Sequence, residues 1–381
     1  MTIIYMIRHA EAEGNLYRIV QGHFNSYITA KGHKQIDALS ERFKDVPLDA
    51  LYSSDLRRTV TTAGAITRYH ELEMQLDPRL REICMGVCEG ISFGDMAKAD
   101  PVMMNYFNND PDRWHAEGAE TFPELIERVY GAVTEIAEAN EGKTIAIVSH
   151  GMAIRAVLAR IHNIKSEDLP NLPHGDNTAV SKLIYDKGEY TVEYYNDNSH
   201  LPAELSTFAK QTWWRKDTGG LDSANLRYER LDPEKNSKLY LDCYADAWRS
   251  VHGDLKLFAP QMYLEGVKRQ CRKNPDSLLG VYSGDEFVGI LEMNFDKGVH
   301  EGYGWVSLVY LKPEYRGQGL GIQPLGRAIT MFQARGYTSV RLHVSELNGH
   351  AMGFYEHYGF NILSTEAGAG APLHLMEKKF C

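Results

Sequence analysis

Arg8 and His9 close the first apolar run of the chain, Met1 to Ile7, and Ser149-His150-Gly151 close another, Thr144 to Val148. Open α/β sheets set their ligands at the carboxyl ends of strands, where helix N-termini attract anions. Two histidines and an arginine gathered at such an edge suit chemistry on a phosphoryl group. That chemistry needs a neutral histidine in one tautomer as nucleophile, ringed by donors for the transferring oxygens. His9 is the candidate nucleophile. Arg8 and one of the adjacent Arg57 and Arg58 can supply planar, bidentate contacts that a lysine would not match. Neighbours on a helix point about 100° apart, so only one of that pair should face the site. His150 can donate to the phosphoryl oxygens, and Glu82 is a candidate general acid for a leaving alkoxide.

A second set lies far downstream. Arg316-Gly317-Gln318-Gly319-Leu320-Gly321 follows an apolar strand and opens a helix with Ile322, Leu325, Ile329 and Phe332 on one face. Glycines let a backbone approach a pyrophosphate, which the turn's N–H groups and the helix dipole then hold. About thirty residues on comes Asn348…Ala351…Phe354-Tyr355-Glu356…Gly359-Phe360.

The elements that must position these residues fall into two rhythms. Up to about His200, strand and helix alternate. Strands are predicted at Ala50–Ser53, Thr144–Ser149, Val180–Tyr185 and Tyr190–Asn196. One helix is predicted from Thr29, as N-cap, to Phe43, and another from Phe122 to Glu138. This predicts an α/β sandwich with a mostly parallel sheet. From Asn225 a strand precedes two helices, then three successive strands, the glycine turn and its helix. A strand, a helix and two closing strands end the chain, an α+β order. We predict domains at 1–202 and 224–381 joined by 203–223, with Trp213 and Trp214 packed as a plug rather than left free.

Composition sets outer limits. At 381 residues the chain is long for one domain. A net charge of −10 argues against a nucleic-acid surface but allows a local arginine cluster for a small anion. Five scattered cysteines fit a reducing compartment, with Cys84 and Cys88 read as packing rather than as metal ligands. No carboxylate-rich metal cluster is visible. The opening apolar run is too short for a signal peptide and no stretch approaches membrane length, so the expected setting is the cytoplasm.

Taken in order, Arg8-His9-Ala10-Glu11, Asn15, Gln21-Gly22, Thr29-Ala30-Lys31-Gly32, Tyr52-Ser53-Ser54-Asp55-Leu56-Arg57-Arg58, Thr61-Thr62-Ala63, Leu80-Arg81-Glu82…Gly86…Glu89-Gly90 and Ser149-His150-Gly151…Arg155 resemble the histidine phosphatase (phosphoglycerate mutase-like) superfamily. The resemblance spans about the first two hundred residues and implies a three-layer α/β/α sandwich. It implies that His9 becomes phosphorylated and that Arg8, Arg58 and His150 hold phosphate, helped by Asn15, Gly22 and Gly151. Glu82 would be the acid or base, with no metal, and the motif's register selects Arg58 over Arg57. Ala10 stands where many members have glycine. The short stretch between Gly90 and Phe122 lacks the arginine-bearing insertion of true mutases, which favours hydrolysis of a small phosphorylated metabolite.

From Asn225 onward the chain resembles the GNAT acyltransferase family. That resemblance implies an α+β fold and acetyl-CoA as co-substrate. Its pyrophosphate would lie on Arg316–Gly321 and its pantetheine along Val309–Leu311. Asn348 would contact the CoA and Tyr355 would protonate the thiolate, with a small amine or peptide amine as acceptor. No base for that acceptor stands out; the candidates are Glu292, Glu301 and His343. The expectation is a two-domain enzyme, possible as a homo-oligomer. The alternatives are a mutase first domain, or a phosphatase regulated by an acetyl-CoA-sensing second domain.

Overall fold

The structure, a computed structural model, describes residues 1–209 and 225–380. Most of the expected join, Trp213 and Trp214 included, lies outside the described residues. The chain divides into two compact units. One holds Met1–Ile91 and the chain from Met96 through the end of the first described stretch; the other holds Ser92–Asp95 and the chain from Asn225.

Up to residue 209 the elements run β1 (Thr2–Arg8), α1 (Glu13–Tyr17), α2 (Ala30–Phe43), β2 (Ala50–Ser53), α3 (Arg57–Thr67), β3 (Met74–Leu76), α4 (Phe93–Ala99), α5 (Pro101–Asn109), α6 (Phe122–Ala139), β4 (Thr144–Ser149), α7 (Gly151–Ile161), β5 (Val180–Asp186) and β6 (Glu189–Asp197). Their sheet has the order β3-β2-β4-β1-β5-β6. The first four strands are parallel, and β5 and β6 close one edge antiparallel. Residues on both faces of β4 are buried, as a sheet covered on two sides requires. Ile36, Leu39 and Phe43 of α2 and Ala63 and Ile66 of α3 share one core with Ile7, Leu51, Ala146 and Val148. Helices α6 and α7 pack together and both meet β1. The result is the expected three-layer sandwich. Thr29 caps α2 by accepting the Gly32 N–H at 3.0 Å.

The predicted boundary at residue 202 falls short of the first unit's end. Gln35 Nε2 donates to the Leu205 carbonyl (2.7 Å), Thr207 N–H to Asp176 Oδ1 (3.0 Å) and Ser206 Oγ to Asp176 Oδ2 (2.5 Å). Those bonds bind the first described residues of the expected join to the first unit.

The second unit contains β7 (Leu226–Arg230), α8 (Ser237–His252), α9 (Pro260–Lys273), β8 (Leu278–Ser283), β9 (Glu286–Asn294), β10 (Tyr303–Leu311), α10 (Ile322–Gln333), β11 (Ser339–Ser345), α11 (Gly349–His357), β12 (Asn361–Glu366) and β13 (Leu373–Lys379). They form one mixed sheet in the order β12-β13-β11-β10-β9-β8-β7. Tyr240, Cys243 and Tyr244 of α8 and Leu264 and Val267 of α9 pack with Leu278, Ile290 and Tyr310 of the sheet. Helix α10 packs against β9, β10 and β11. No helix among the described residues is long and apolar enough to cross a membrane.

Candidate active sites

Parallel pairing of β1 with β4 sets Arg8 opposite Ser149. The next residue of each strand is a histidine, so His9 and His150 leave the sheet side by side, their ring centroids 5.3 Å apart. Both are buried. His9 Nδ1 lies 2.8 Å from the Ala10 carbonyl. A carbonyl only accepts, so the neutral ring carries its proton on Nδ1 and presents a lone pair on Nε2. Burial, reinforced by the Arg58 and Arg8 charges, holds the His9 imidazole well below its ordinary range, and therefore neutral. His150 is held low in the same way, by burial and then by Arg58 and His9.

Arg58, at the start of α3, is fully buried. Its Nε donates to His150 Nδ1 (3.2 Å), Nη1 to the Phe24 carbonyl (2.9 Å) and Nη2 to the Gly22 and Gln21 carbonyls (2.7 and 3.3 Å). A guanidinium cannot accept, so His150 carries its proton on Nε2 and donates it to Ser54 Oγ at 2.9 Å. Arg8 donates from Nη1 to the Gly175 carbonyl (2.5 Å), while its buried Nε finds no acceptor among the described residues. A Cβ built on Gly151 would stand 3.3 Å from that Nε, which places the donor at the N-terminus of α7. An orphaned buried guanidinium N–H beside a helix N-terminus fits an anion.

Glu82 reaches the same helix. Its Oε2 accepts the Met152 N–H (3.0 Å), and its Oε1 accepts those of Ala153 (2.9 Å) and Ile83 (3.1 Å). Gly22 is engaged differently from the sequence expectation. Its N–H, with those of His23 and Phe24, donates to Glu89 at 3.1, 2.7 and 2.7 Å, and Met85 N–H adds a fourth bond at 2.9 Å. The chain passes so close that a Cβ on Gly22 would meet the Ile83 carbonyl at 2.1 Å. Asn15 Oδ1 accepts the Ala12 N–H (3.0 Å), fastening the start of α1.

In the second unit, β10 pairs with β11 only from Tyr303 to Val306 and then runs on alone to Leu311 on that side. The register against β9 slips between Val306 and Leu308. The two parallel strands thus part at a bulge, leaving Val309 and Leu311 on a strand with an open side. Gly317 and Gly319 have φ of +73° and +75°, the left-handed region in which glycine carries no Cβ penalty. Among the described residues the N–H groups of Gly317, Gln318, Gly319 and Leu320 have no backbone acceptor, and Gly321 leads into α10. The turn thus sets N–H donors without a backbone acceptor among the described residues at a helix N-terminus, which fits a pyrophosphate. Arg316 itself is turned elsewhere: Nε donates to the Leu311 carbonyl (2.8 Å) and Nη2 to Asp246 (2.8 Å). Asn348 caps α11 by accepting the Ala351 N–H at 3.1 Å. Tyr355 lies between the Phe354 and Phe360 rings, and burial raises its hydroxyl to about 12.

The family profile of the histidine phosphatase superfamily (branch 1) matches residues 4–198. The chain belongs to the histidine phosphatase superfamily. A second profile, that of the acetyltransferase (GNAT) family, matches residues 237–360. Proteins named "Probable phosphoglycerate mutase GpmB" from Salmonella choleraesuis and Salmonella paratyphi B are each 30% identical over 208 residues, 53% of this chain and 96% of theirs. The solved structure of Bacillus stearothermophilus YhfR is similar with a TM-score of 0.52 and 30% identity, over 53% of this chain and all of that one.

Within the histidine phosphatase domain the fold gathers Arg8, His9, Arg58, His150, Gly151 and Glu82. Gly22 gives its N–H to Glu89, and Asn15 Oδ1 accepts the Ala12 N–H. Several residues went unassigned in the sequence. Glu89 organises the 22–24 loop, and Asn177 Nδ2 donates to the His9 carbonyl at 2.9 Å. Asp176 lies close enough to support the Arg8 charge. The polar run Gly175-Asp176-Asn177 just ahead of β5 was the signal for the last two. Among the described residues no group of three or more His, Cys, Asp or Glu is placed to hold a metal ion, and Cys84 and Cys88 are free thiols.

Proposed function

We propose that the first domain hydrolyses a small phosphomonoester through a phosphohistidine on His9, and that the second transfers an acetyl group from acetyl-CoA to an amine. The observation that carries the first half is the His9 Nδ1 bond to the Ala10 carbonyl, which leaves Nε2 as a lone pair, with the Arg8 charge acting on the ring and Arg8 Nε without an acceptor among the described residues. His9 Nε2 attacks phosphorus, an N–P bond forms as the P–O bond to the leaving group breaks, and the alkoxide takes a proton from Glu82. Water then gives a proton to Glu82 and attacks phosphorus; the P–N bond breaks and His9 is restored. The three N–H groups on Glu82 hold its direction, and Oε2, with one of them, keeps room for the proton. Arg8 takes charge on the phosphoryl oxygens.

The printed name of the Salmonella relatives favours a second reading, phosphoglycerate mutase action. Against it, the stretch from Ile91 to Thr121 carries a single arginine, Arg113, and that guanidinium lies 4.1 Å over the Tyr106 ring. Acid-quench trapping with a labelled phosphomonoester tests the proposal. Labelled enzyme and phosphate release are expected from the wild type, with no effect of EDTA, and neither from His9→Ala. Full activity in His9→Ala would overturn it, and interconversion of 2- and 3-phosphoglycerate would favour the mutase.

Acetyl-CoA, when bound, supplies an acetyl thioester. In this reading the amides of Gly317–Leu320 hold its pyrophosphate and the open side of β10 pairs with its pantetheine amides. Tyr355, protonated at neutral pH, offers its hydroxyl hydrogen to the sulfur. Calorimetry should show acetyl-CoA binding that Gly319→Glu abolishes. The free thiols support a cytoplasmic setting.

A further inference from the structure

The second unit contains a cavity of about 400 Å³ between α8, α9 and the exposed reach of β10. Its chemistry is one-sided. The lining includes Tyr244, Trp248, Tyr263, Glu292 and Gln270, with the histidines His252 and His343 and no lysine or arginine. Tyr244 and Tyr263 stack with ring centroids 4.6 Å apart, and Trp248 stands 6.4 Å from Tyr263. Glu292 is 4% exposed, and Gln270 Oε1 is buried with no donor among the described residues. Aromatic rings, a carboxyl and a carbonyl oxygen with no donor among the described residues are what a cation asks for. Trp305, also in the wall, already carries the Lys297 ammonium 2.9 Å from its ring centroid.

We infer that this cavity is the acceptor pocket of the acetyltransferase and that it selects a small monocationic primary amine with an apolar body. Glu292 pairs with the ammonium, Gln270 Oε1 accepts one of its N–H groups, and the rings of Tyr244, Trp248 and Tyr263 enclose the rest. The inference rests on the acetyltransferase reading for its chemistry, though not for its binding preference. The volume suits a ligand of metabolite size.

Charge at Glu292 follows the same logic. Burial raises its carboxyl to about 7, while Tyr240 (2.9 Å), Tyr244 and Ser307 donate to it. The other titratable groups around it are Tyr263 and Cys271 of α9, both held neutral by burial, His343 in the same wall, also held neutral by burial, and His252 of α8. An ammonium ion arriving there draws Glu292 into its charged form, so binding releases a proton below pH 7 and strengthens as pH rises through 7.

The test uses the full chain and three probes of one shape: benzylamine, benzyl alcohol and benzoate. Calorimetry at pH 7.5 is expected to show benzylamine binding at least tenfold tighter than benzyl alcohol, with no benzoate binding. Glu292→Gln should remove that preference while leaving benzyl alcohol within twofold. Trp248→Leu should weaken benzylamine about tenfold, and retained acetyl-CoA binding verifies that each variant is folded. Equal affinity for the three probes, or a benzylamine affinity indifferent to both substitutions, would overturn the inference. Benzylamine bound as expected, yet with no thiol released from acetyl-CoA by any small amine, would uphold the pocket and sink the acetyltransferase reading instead.

Discussion

Arg58 Nε donates to His150 Nδ1 at 3.2 Å, and this one contact decides where the His150 proton sits. The same guanidinium gathers the carbonyls of Gln21, Gly22 and Phe24, so loop and imidazole share one anchor. Arg58→Lys keeps the charge and loses the fork. We expect phosphatase kcat/KM to fall about 10²-fold and the domain to lose about 2–4 kcal/mol, since buried carbonyls lose charged partners. Denaturant unfolding and steady-state kinetics check both; a variant of wild-type stability would refute the shared anchor.

Acid should destabilise the protein for a reason visible at the site. His9 and His150 stay neutral in the fold, whereas in the unfolded chain they take up protons near pH 6.5. Below that pH the unfolded state binds more protons, so stability is complete above 6.5 and declines as pH falls towards the depressed folded values. The slope is at most about 1.4 kcal/mol per pH unit for each histidine. His200, lowered to about 4 mainly by burial, adds to the same trend. Unfolding measured from pH 8 to 5 should be flat and then fall, with a shallower fall in His9→Gln. A fall equally steep in that variant would remove His9 from the account.

By the same depression, His9 remains a competent nucleophile under mild acid. The acidic limb of phosphatase kcat/KM should therefore show no break at 6.5 belonging to His9. A wild-type break at 6.5 that follows nucleophile protonation in single-turnover phosphorylation would contradict this.

Glu89→Gln tests the 22–24 loop. A carboxylate accepts all four N–H groups, while a glutamine offers one oxygen and turns an NH2 toward the remaining donors. The expected loss is about 1–3 kcal/mol of stability, together with a higher KM for the phosphomonoester. Unchanged unfolding midpoints would show that the loop holds itself.

Asn348 has a visible duty as a helix cap and a proposed one as a CoA contact. Asn348→Ala should cost about 1 kcal/mol through the cap alone. Asn348→Ser keeps a capping oxygen and removes the amide, so it should restore stability yet weaken acetyl-CoA binding in calorimetry. Full affinity in the serine variant would leave Asn348 as a cap only.

What could be read in the chain was whatever repeats locally. The apolar runs of β1 and β4 ended where periodicity placed them, and each strand end delivered its histidine. Short elements such as α1, β3 and α5 left too few turns or alternations to register. Hydrogen-bond saturation was invisible for a different reason. That Arg316 is tied to Asp246, that Gly22 donates to Glu89, or that Asp176 supports Arg8 depends on residues brought together by the tertiary fold. Sequence shows which side chains can donate, and only the fold shows which are already taken.

The pairing of Arg8 with Ser149 makes the sheet a ruler for the active site. The spacing of the two histidines is written in backbone amides, out of reach of most side-chain substitutions. It is exposed to changes of length instead. One residue inserted within β4 would turn His150 to the far face of the sheet, and the nucleophile would keep its place with no companion across from it.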